Sequence, residues 1–328
     1  MMTIRIIATV IIISLSSALM GQIRYFDERY ISTMSQLNPV LVNPGAIGWE
    51  DSHQLIANYR NKWATFPGSP KSFLVSYDGP LAQNLSFGAQ VLSDSNGSLN
   101  LTKVQGGFSY QLNTSVNKLS VGLSGEYARH NLDSDVMNHE LVDDADIRVL
   151  ERLEGTGFFD VSVGIYGVYD NTITYGLVLP ALVNSRLDDA ITGAESREFG
   201  YMASLGYIHR AEGVDAVFEP SIIVKQVNNV PFHADINLLG RFVDNKFRGG
   251  FTYTVGADNR VGFLVGTSFN ALEINYGYNL SRNEFQDFNN GSHELGLRFD
   301  IGGDRQRLEV EGKELIEGVI QSRDGLER

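Results

Sequence analysis

From residue 50 onward the chain alternates between apolar and polar positions. In EFGYMASLGYIHR, Phe199, Tyr201, Ala203, Leu205 and Tyr207 point one way, and Glu198, Gly200, Ser204 and Gly206 the other. That period of two belongs to a strand with one apolar face. The same pattern sets Leu272, Ile274, Tyr276, Tyr278 and Leu280 against Glu273, Asn275, Gly277 and Asn279. It also sets Phe232, Ala234, Ile236, Leu238 and Phe242 against His233, Asp235, Asn237 and Arg241. Fourteen such runs lie near 53–60, 71–78, 84–93, 101–111, 117–128, 158–169, 172–180, 198–209, 214–225, 232–242, 246–255, 259–269, 271–281 and 291–300. Many are 9–12 residues long, where strands of soluble proteins run to about 5–6. A ten-residue strand tilted by roughly 40° covers about 25 Å, the height of an outer-membrane apolar band. Aromatic residues close several apolar faces: Phe199 and Tyr207, Phe232 and Phe242, Phe159 and Tyr169. The pattern predicts an all-β fold, a 14-stranded antiparallel transmembrane β-barrel of the outer membrane spanning 53–300.

Connection lengths support that fold. Even-numbered connections are short (79–83, 112–116, 170–171, 210–213, 243–245 and Asn270), whereas 61–70, 129–157, 181–197 and 282–290 are longer, and only 256–258 among the odd ones is very short. Outer-membrane barrels sort short turns to one side and long loops to the other. Seven ionisable residues fall on interior positions: Glu126, Asp160, Arg241, Arg248, Glu273, Glu294 and Arg298. Their mixed signs and the glycines between them favour charges paired across a plugged or narrow lumen over a selective pore.

The two ends of the chain differ from the middle. Residues 1–21 have the build of a secretory signal peptide: Arg5, an apolar core from Ile6 to Leu15, then small residues. That core is shorter than the ~20 residues a helical span needs, and cleavage after Ala18 or Gly21 fits. Residues 22–52 form a short, extended, inward-lying periplasmic segment with two Asn-Pro steps. The tail, 301–328, is charged and periplasmic; Leu308, Leu315, Ile316, Val319 and Ile320 fall on one face of a short helix. Such a helix is stable only when that face is buried, which points to docking on a periplasmic partner.

Composition narrows the function. A net charge of −13 argues against nucleic acid, which calls for a basic stripe. The absence of cysteine excludes disulfides, zinc-thiolate sites, a cysteine nucleophile and an N-terminal lipidated cysteine. The six histidines lack metal-ligand spacing. DSNGSLN at 94–100 has the residues of a turn and lacks the later glutamate of a calcium loop. No enzyme emerges, and no cofactor is called for.

Two stretches are more particular. LNPVLVNPGAIG carries Asn38-Pro39 and Asn43-Pro44 and ends at Gly48; residues before proline are pushed toward extended conformations. YRNKWATFPGSP carries Tyr59, Arg60, Trp63, Phe66, Pro67, Gly68 and Pro70 at a hairpin tip, followed by SYDGPL. This order resembles the PorP/SprF family of Bacteroidetes outer-membrane proteins, associated with type IX secretion and gliding motility. The resemblance continues through PSIIVKQVNNVPFHADINL, FRGGFTYT and the closing NYGYNLSRNEFQDFNNGSHELGLRF, over roughly 34–300. The Gly45-Ala46-Ile47-Gly48 corner and the charged tail depart from the family pattern. The resemblance implies a non-enzymatic component that helps deliver or anchor secreted adhesins. Its partners would be outer-membrane lipid, adhesin cargo, and periplasmic or outer-membrane parts of the secretion or motility machinery. Arg60, Trp63 and Phe66 then read either as an ordered contact surface or, for Trp63 and Phe66, as a cap on the barrel mouth or part of an aromatic belt. Two alternatives remain: a FadL-like channel for hydrophobic small molecules, and a purely structural barrel joining the membrane to periplasmic proteins.

Overall fold

The alternation closes on itself. The computed structural model describes residues 28–138, 147–183, 200–227, 230–256, 259–282 and 289–301. Fourteen antiparallel strands form a closed barrel. They are β1 (His53–Asn61), β2 (Lys71–Pro80), β3 (Leu85–Asn96), β4 (Leu99–Asn113), β5 (Asn117–Leu132), β6 (Thr156–Tyr169) and β7 (Ile173–Leu179). Then come β8 (Tyr201–Tyr207, continued as His209–Arg210), β9 (Ala216–Val227), β10 (Val230–Phe242), β11 (Phe247–Gly256), β12 (Arg260–Phe269), β13 (Leu272–Ser281) and β14 (Ser292–Ile301). Both pieces of β8 pair with β9. The ring closes where β1 meets β14, from His53↔Ile301 to Asn61↔His293. Closure gives the first and last strands the hydrogen-bonding neighbours that an open sheet denies them. Each of the fourteen runs overlaps a strand.

The barrel is polar inside and apolar outside. Along β1, Gln54, Ile56, Asn58 and Arg60 are buried while Leu55 and Tyr59 are exposed. Along β4, Lys103, Ser109 and Gln111 are buried while Val104, Phe108, Tyr110 and Leu112 face outward. Leu123 in β5 is 56% exposed and Val265 in β12 is 60%. Such a surface is unfavourable in water, at roughly 25 cal/mol per Å² of apolar area, and suits a medium without hydrogen-bonding partners, because the ladder satisfies the backbone.

The two ends are unlike. Connections after β2, β4, β6, β8, β10 and β12 are short, and the chain enters β1 and leaves β14 at this same end, here called the turn end. In the turn between β6 and β7, Asp170 and Asn171 take φ of 49° and 50°, left-handed values that Asn and Asp tolerate in tight hairpins. The loop end carries 62–70, 133–155, 180–200 and 282–291.

Three details differ from the sequence reading. Three loop-end connections are short (97–98, 228–229 and 257–259) rather than one. The polar stretch 94–100 continues β3 and β4, with Asn96 paired to Leu99, and Gly97 at φ 60° makes the turn. Polarity does not end a strand whose ladder is still paired. Second, a helix, α1 (Ile147–Glu154), lies in the long β5–β6 connection. It ends at Gly155 with φ 83°, a left-handed C-terminal stop, and the Arg129 guanidinium donates to the Glu154 carbonyl at 2.5 Å. At eight residues it gives too little periodicity to be seen in sequence. Third, the Asn-Pro segment is not extended. It makes one-turn 3₁₀ elements at Glu28–Ile31, Thr33–Gln36, Pro39–Leu41 and Pro44–Ala46. The pre-proline residues Asn38 (ψ 77°) and Asn43 (ψ 109°) stay out of the helical region, but each proline opens a turn, where its missing N–H does no harm. The proposed signal peptide, Phe199 and the tail with Leu308, Leu315, Ile316, Val319 and Ile320 lie outside the described residues.

Candidate functional site

The segment 28–52 fills the lumen, and the interior side chains hold it along its length. Near the loop end, the Arg29 guanidinium donates to Glu126 at 2.6 Å and Gln105 at 2.7 Å, and Glu126 also pairs with Lys103 at 2.8 Å. Lys225 donates to the Tyr30 carbonyl and to Asp235, both at 2.7 Å. Arg260 donates to the Ile31 carbonyl at 3.1 Å. The Glu294 carboxylate accepts from the Ser32 hydroxyl at 2.9 Å and the Thr33 amide at 3.0 Å, and ion-pairs with Arg60 at 2.9 Å. Charged groups here are buried yet paired, the condition under which buried charge is tolerated.

Below this, apolar packing takes over. Met34, Leu37 and Leu41 meet Ile56, Leu74, Leu92, Leu239 and Leu264, inward residues of five strands. These inward leucines interrupt the polar face of their strands because a buried apolar segment lies against them.

Nearer the turn end the backbone itself is close-fitted to the wall. The Asn43 side chain accepts from the Gly45 amide at 2.8 Å and donates to the Ile165 carbonyl at 3.0 Å. A Cβ on Gly45 would stand 2.8 Å from the Tyr166 nitrogen, and one on Gly122 would overlap the Pro44 carbonyl. Gly48, at φ 64°, donates its amide to Asp78 at 2.8 Å, and a side chain there would overlap Ser86. Lys118 donates to the Trp49 carbonyl at 2.7 Å and sits 4.5 Å from the Trp49 ring centroid. A cavity of about 120 Å³ remains at this end, lined by Asn38, Pro39, Glu50, Asp78, Glu219, Arg241 and Arg298 among others.

The seven interior charges read from sequence do point inward. Arg241 pairs with Glu219 at 3.3 Å, Arg248 with Glu273, and Arg298 with Glu273 at 2.9 Å. Asp160 accepts from the Val183 amide at 3.1 Å. The sequence reading missed Arg29, Lys103, Lys225 and Arg260, which complete the grip on the segment. Three of these lie on inward positions of strands, so alternation carried the signal; Arg29 had none.

The hairpin motif is divided between two faces. Arg60 is 3% exposed and is no part of an outer contact surface, because alternation along β1 sends it inward opposite Glu294. Asn38, Asn43 and Pro44 are likewise enclosed within the barrel, so they make plug contacts rather than surface ones. Tyr59 faces outward. Trp63, Phe66, Pro67 and Gly68 form the tip, with Pro70 buried behind it. The tip is braced on both sides. Ala64 donates to the Gly291 carbonyl at 2.8 Å, the Trp63 amide donates to the Ser292 hydroxyl at 3.3 Å, and Gly97 donates to the Gly68 carbonyl at 3.1 Å. Lys62 lies 4.5 Å from the Trp63 ring centroid. Trp63 is half-buried and Phe66 39% exposed. Among the described residues no group of three His, Cys, Asp or Glu side chains is placed to hold a metal ion.

Polar lumen, apolar exterior and a lumen segment supplied by the same chain define the class, a plugged β-barrel membrane protein. The chain belongs to the type IX secretion system membrane protein PorP/SprF family, whose model matches residues 25–299. No protein of curated function matches the sequence. Among solved structures, the chain is similar to the deltaS2S3 mutant of the TodX monoaromatic hydrocarbon channel (TM-score 0.48, 12% identity, covering 82% of this chain and 94% of that one). It is also similar to the CymD monoaromatic hydrocarbon channel (0.47, 11%, 83% and 93%) and to a Pseudomonas aeruginosa FadL homologue (0.45, 10%, 79% and 92%).

Proposed function

We propose that the protein acts in the outer membrane as a non-enzymatic component of the type IX secretion and gliding machinery, helping to deliver or anchor secreted adhesins. The single observation that carries this reading, beyond family membership, is the occupied lumen. A barrel filled by its own tightly held chain offers partners its surfaces rather than a passage. The loop end, with the braced Trp63–Phe66 tip, then faces outward toward cargo. The turn end faces the periplasm, where the tail docks on a machinery component through Leu308, Leu315, Ile316, Val319 and Ile320. Residues 1–21 direct export.

The FadL-like channel alternative requires an apolar ligand site, and ligand pockets commonly measure about 300–1,000 Å³. The cavity at the turn end is about 120 Å³, well below that range, and mixes Glu50, Asp78, Glu219, Arg241 and Arg298 with apolar residues such as Leu37, Val40 and Leu239. Deleting the gene and comparing the surface proteome with fatty-acid uptake separates the readings. Loss of surface adhesins with normal uptake is expected; the reverse overturns the proposal. Truncation after Asp300 should leave the barrel assembled while weakening adhesin display or partner pull-down, and unchanged display and pull-down would leave the tail without that role.

A further inference from the structure

The lumen segment has a direction. Its first contacts lie at the loop end: Lys225 is two positions from the end of β9, Arg260 is the first residue of β12, and Glu294 is the third of β14. These hold Tyr30, Ile31 and the Ser32–Met34 stretch respectively. Its last contacts lie at the turn end: Gly48 meets Asp78, two positions before the end of β2, and Trp49 meets Lys118, the second residue of β5. The chain therefore descends the barrel from the loop end to the turn end before rising again as β1.

Below this entry point the lumen is occupied by the segment itself. Met34 is fully buried and Leu41 is 2% exposed. We infer that the chain upstream of Glu28 leaves the barrel at the loop-bearing face, on the side of the braced hairpin tip. The conclusion that this face is the cell surface rests on the outer-membrane reading above; the shared face itself does not.

The grip fits this arrangement. Arg29 through Met34 are held by Glu126, Lys225, Arg260 and Glu294, all from the wall and all largely desolvated. Burying that much charge is unfavourable unless geometry is fixed, so these contacts hold the stretch at the loop end. Arg60, three positions before Trp63 of the tip, shares Glu294 with Ser32 and Thr33. The upstream chain and the tip are thus mechanically coupled through one carboxylate. The outer face gains an element that no loop supplies, and the charged grip requires the barrel to close around the segment, since threading it later would drag Arg29 through the apolar middle.

The chain has no cysteine, so single replacements give clean reporters. Arg24→Cys reports the upstream chain, Asp135→Cys the loop end, and Ser115→Cys the turn end; the last two are exposed in the fold. A membrane-impermeant maleimide is applied to intact and to permeabilised cells, with heat-modifiable gel mobility confirming that each barrel is folded. Arg24→Cys should label together with Asp135→Cys and apart from Ser115→Cys. If Arg24→Cys stays unreactive while Asp135→Cys labels, or reacts only in company with Ser115→Cys, the inference fails. If Ser115→Cys labels on intact cells and Asp135→Cys does not, the orientation is reversed, and the inference is judged by whether Arg24→Cys still follows Asp135→Cys.

Discussion

Replacing Glu294 with alanine removes one carboxylate that serves two parts of the molecule. It holds Arg60 at 2.9 Å, accepts from Ser32 and Thr33 at 2.9 and 3.0 Å, and reaches the Met34 amide at 3.3 Å. Glu294 is 1% exposed and Arg60 3%. Breaking a buried pair by removing one partner costs about 3–5 kcal/mol, chiefly because the other charge is stranded. The freed Thr33 and Met34 amides add roughly 1–3 kcal/mol each if they stay dry, less if the segment shifts toward water. A loss near 5 kcal/mol is therefore expected, readable as a lowered urea midpoint for the barrel in lipid vesicles. Pairing Glu294→Leu with Arg60→Met removes both charges at similar volume and should recover most of the loss, since such replacements are often near neutral. The residual deficit reports the amides. A Glu294→Ala barrel within about 1 kcal/mol of the parent, or a double variant as damaged as the single, would refute the reasoning.

Three further outcomes follow from the same geometry. Leu123→Arg, at a 56% exposed position midway along β5, should destabilise the vesicle-embedded barrel by about 2–4 kcal/mol; a neutral effect would mean that this face does not meet lipid. Gly122→Val should block seating of Pro44, whose carbonyl occupies the space of the new side chain, and reduce the yield of heat-modifiable folded barrel, whereas Gly125→Ala, at a position with open space around it, should not. The purified protein in planar bilayers should show little steady conductance, and a large, stable current would contradict a lumen filled by residues 28–52.

The barrel was legible because one physical rule acts at every strand. A wall between a polar lumen and an apolar exterior imposes a period of two, clearest in strands such as His53–Asn61 and Leu85–Asn96. What failed to register were features outside that rule. The helix Ile147–Glu154 is two turns long. The extension of β3 through Ser93–Asn96 is polar on both faces, so it carries no alternation to read. The 3₁₀ turns of the lumen segment are held by contacts with residues between 26 and 262 positions away, and no local propensity encodes those.

Arg60 shows where a motif and a period disagree, and which should be trusted. As part of YRNKWATFPGSP it reads as one of a cluster with Trp63 and Phe66. As the eighth residue of β1 it shares a face with Gln54, Ile56 and Asn58, and that face is the lumen. The period wins because reversing Arg60 would reverse Tyr59 as well, placing an aromatic ring in the polar interior and a guanidinium outside. Trp63 and Phe66 lie past the last paired residue, where no period applies, and backbone bonds to Gly291 and Gly97 fix the tip instead. The register then explains why the hairpin block and the closing Ser-His-Glu block belong together across the length of the chain. Arg60 and Glu294 are direct cross-strand partners at the seam between β1 and β14, and the carboxylate that pairs them also receives the Asn-Pro segment. Three blocks of sequence converge on one carboxylate, and closure of the barrel is the event that assembles it.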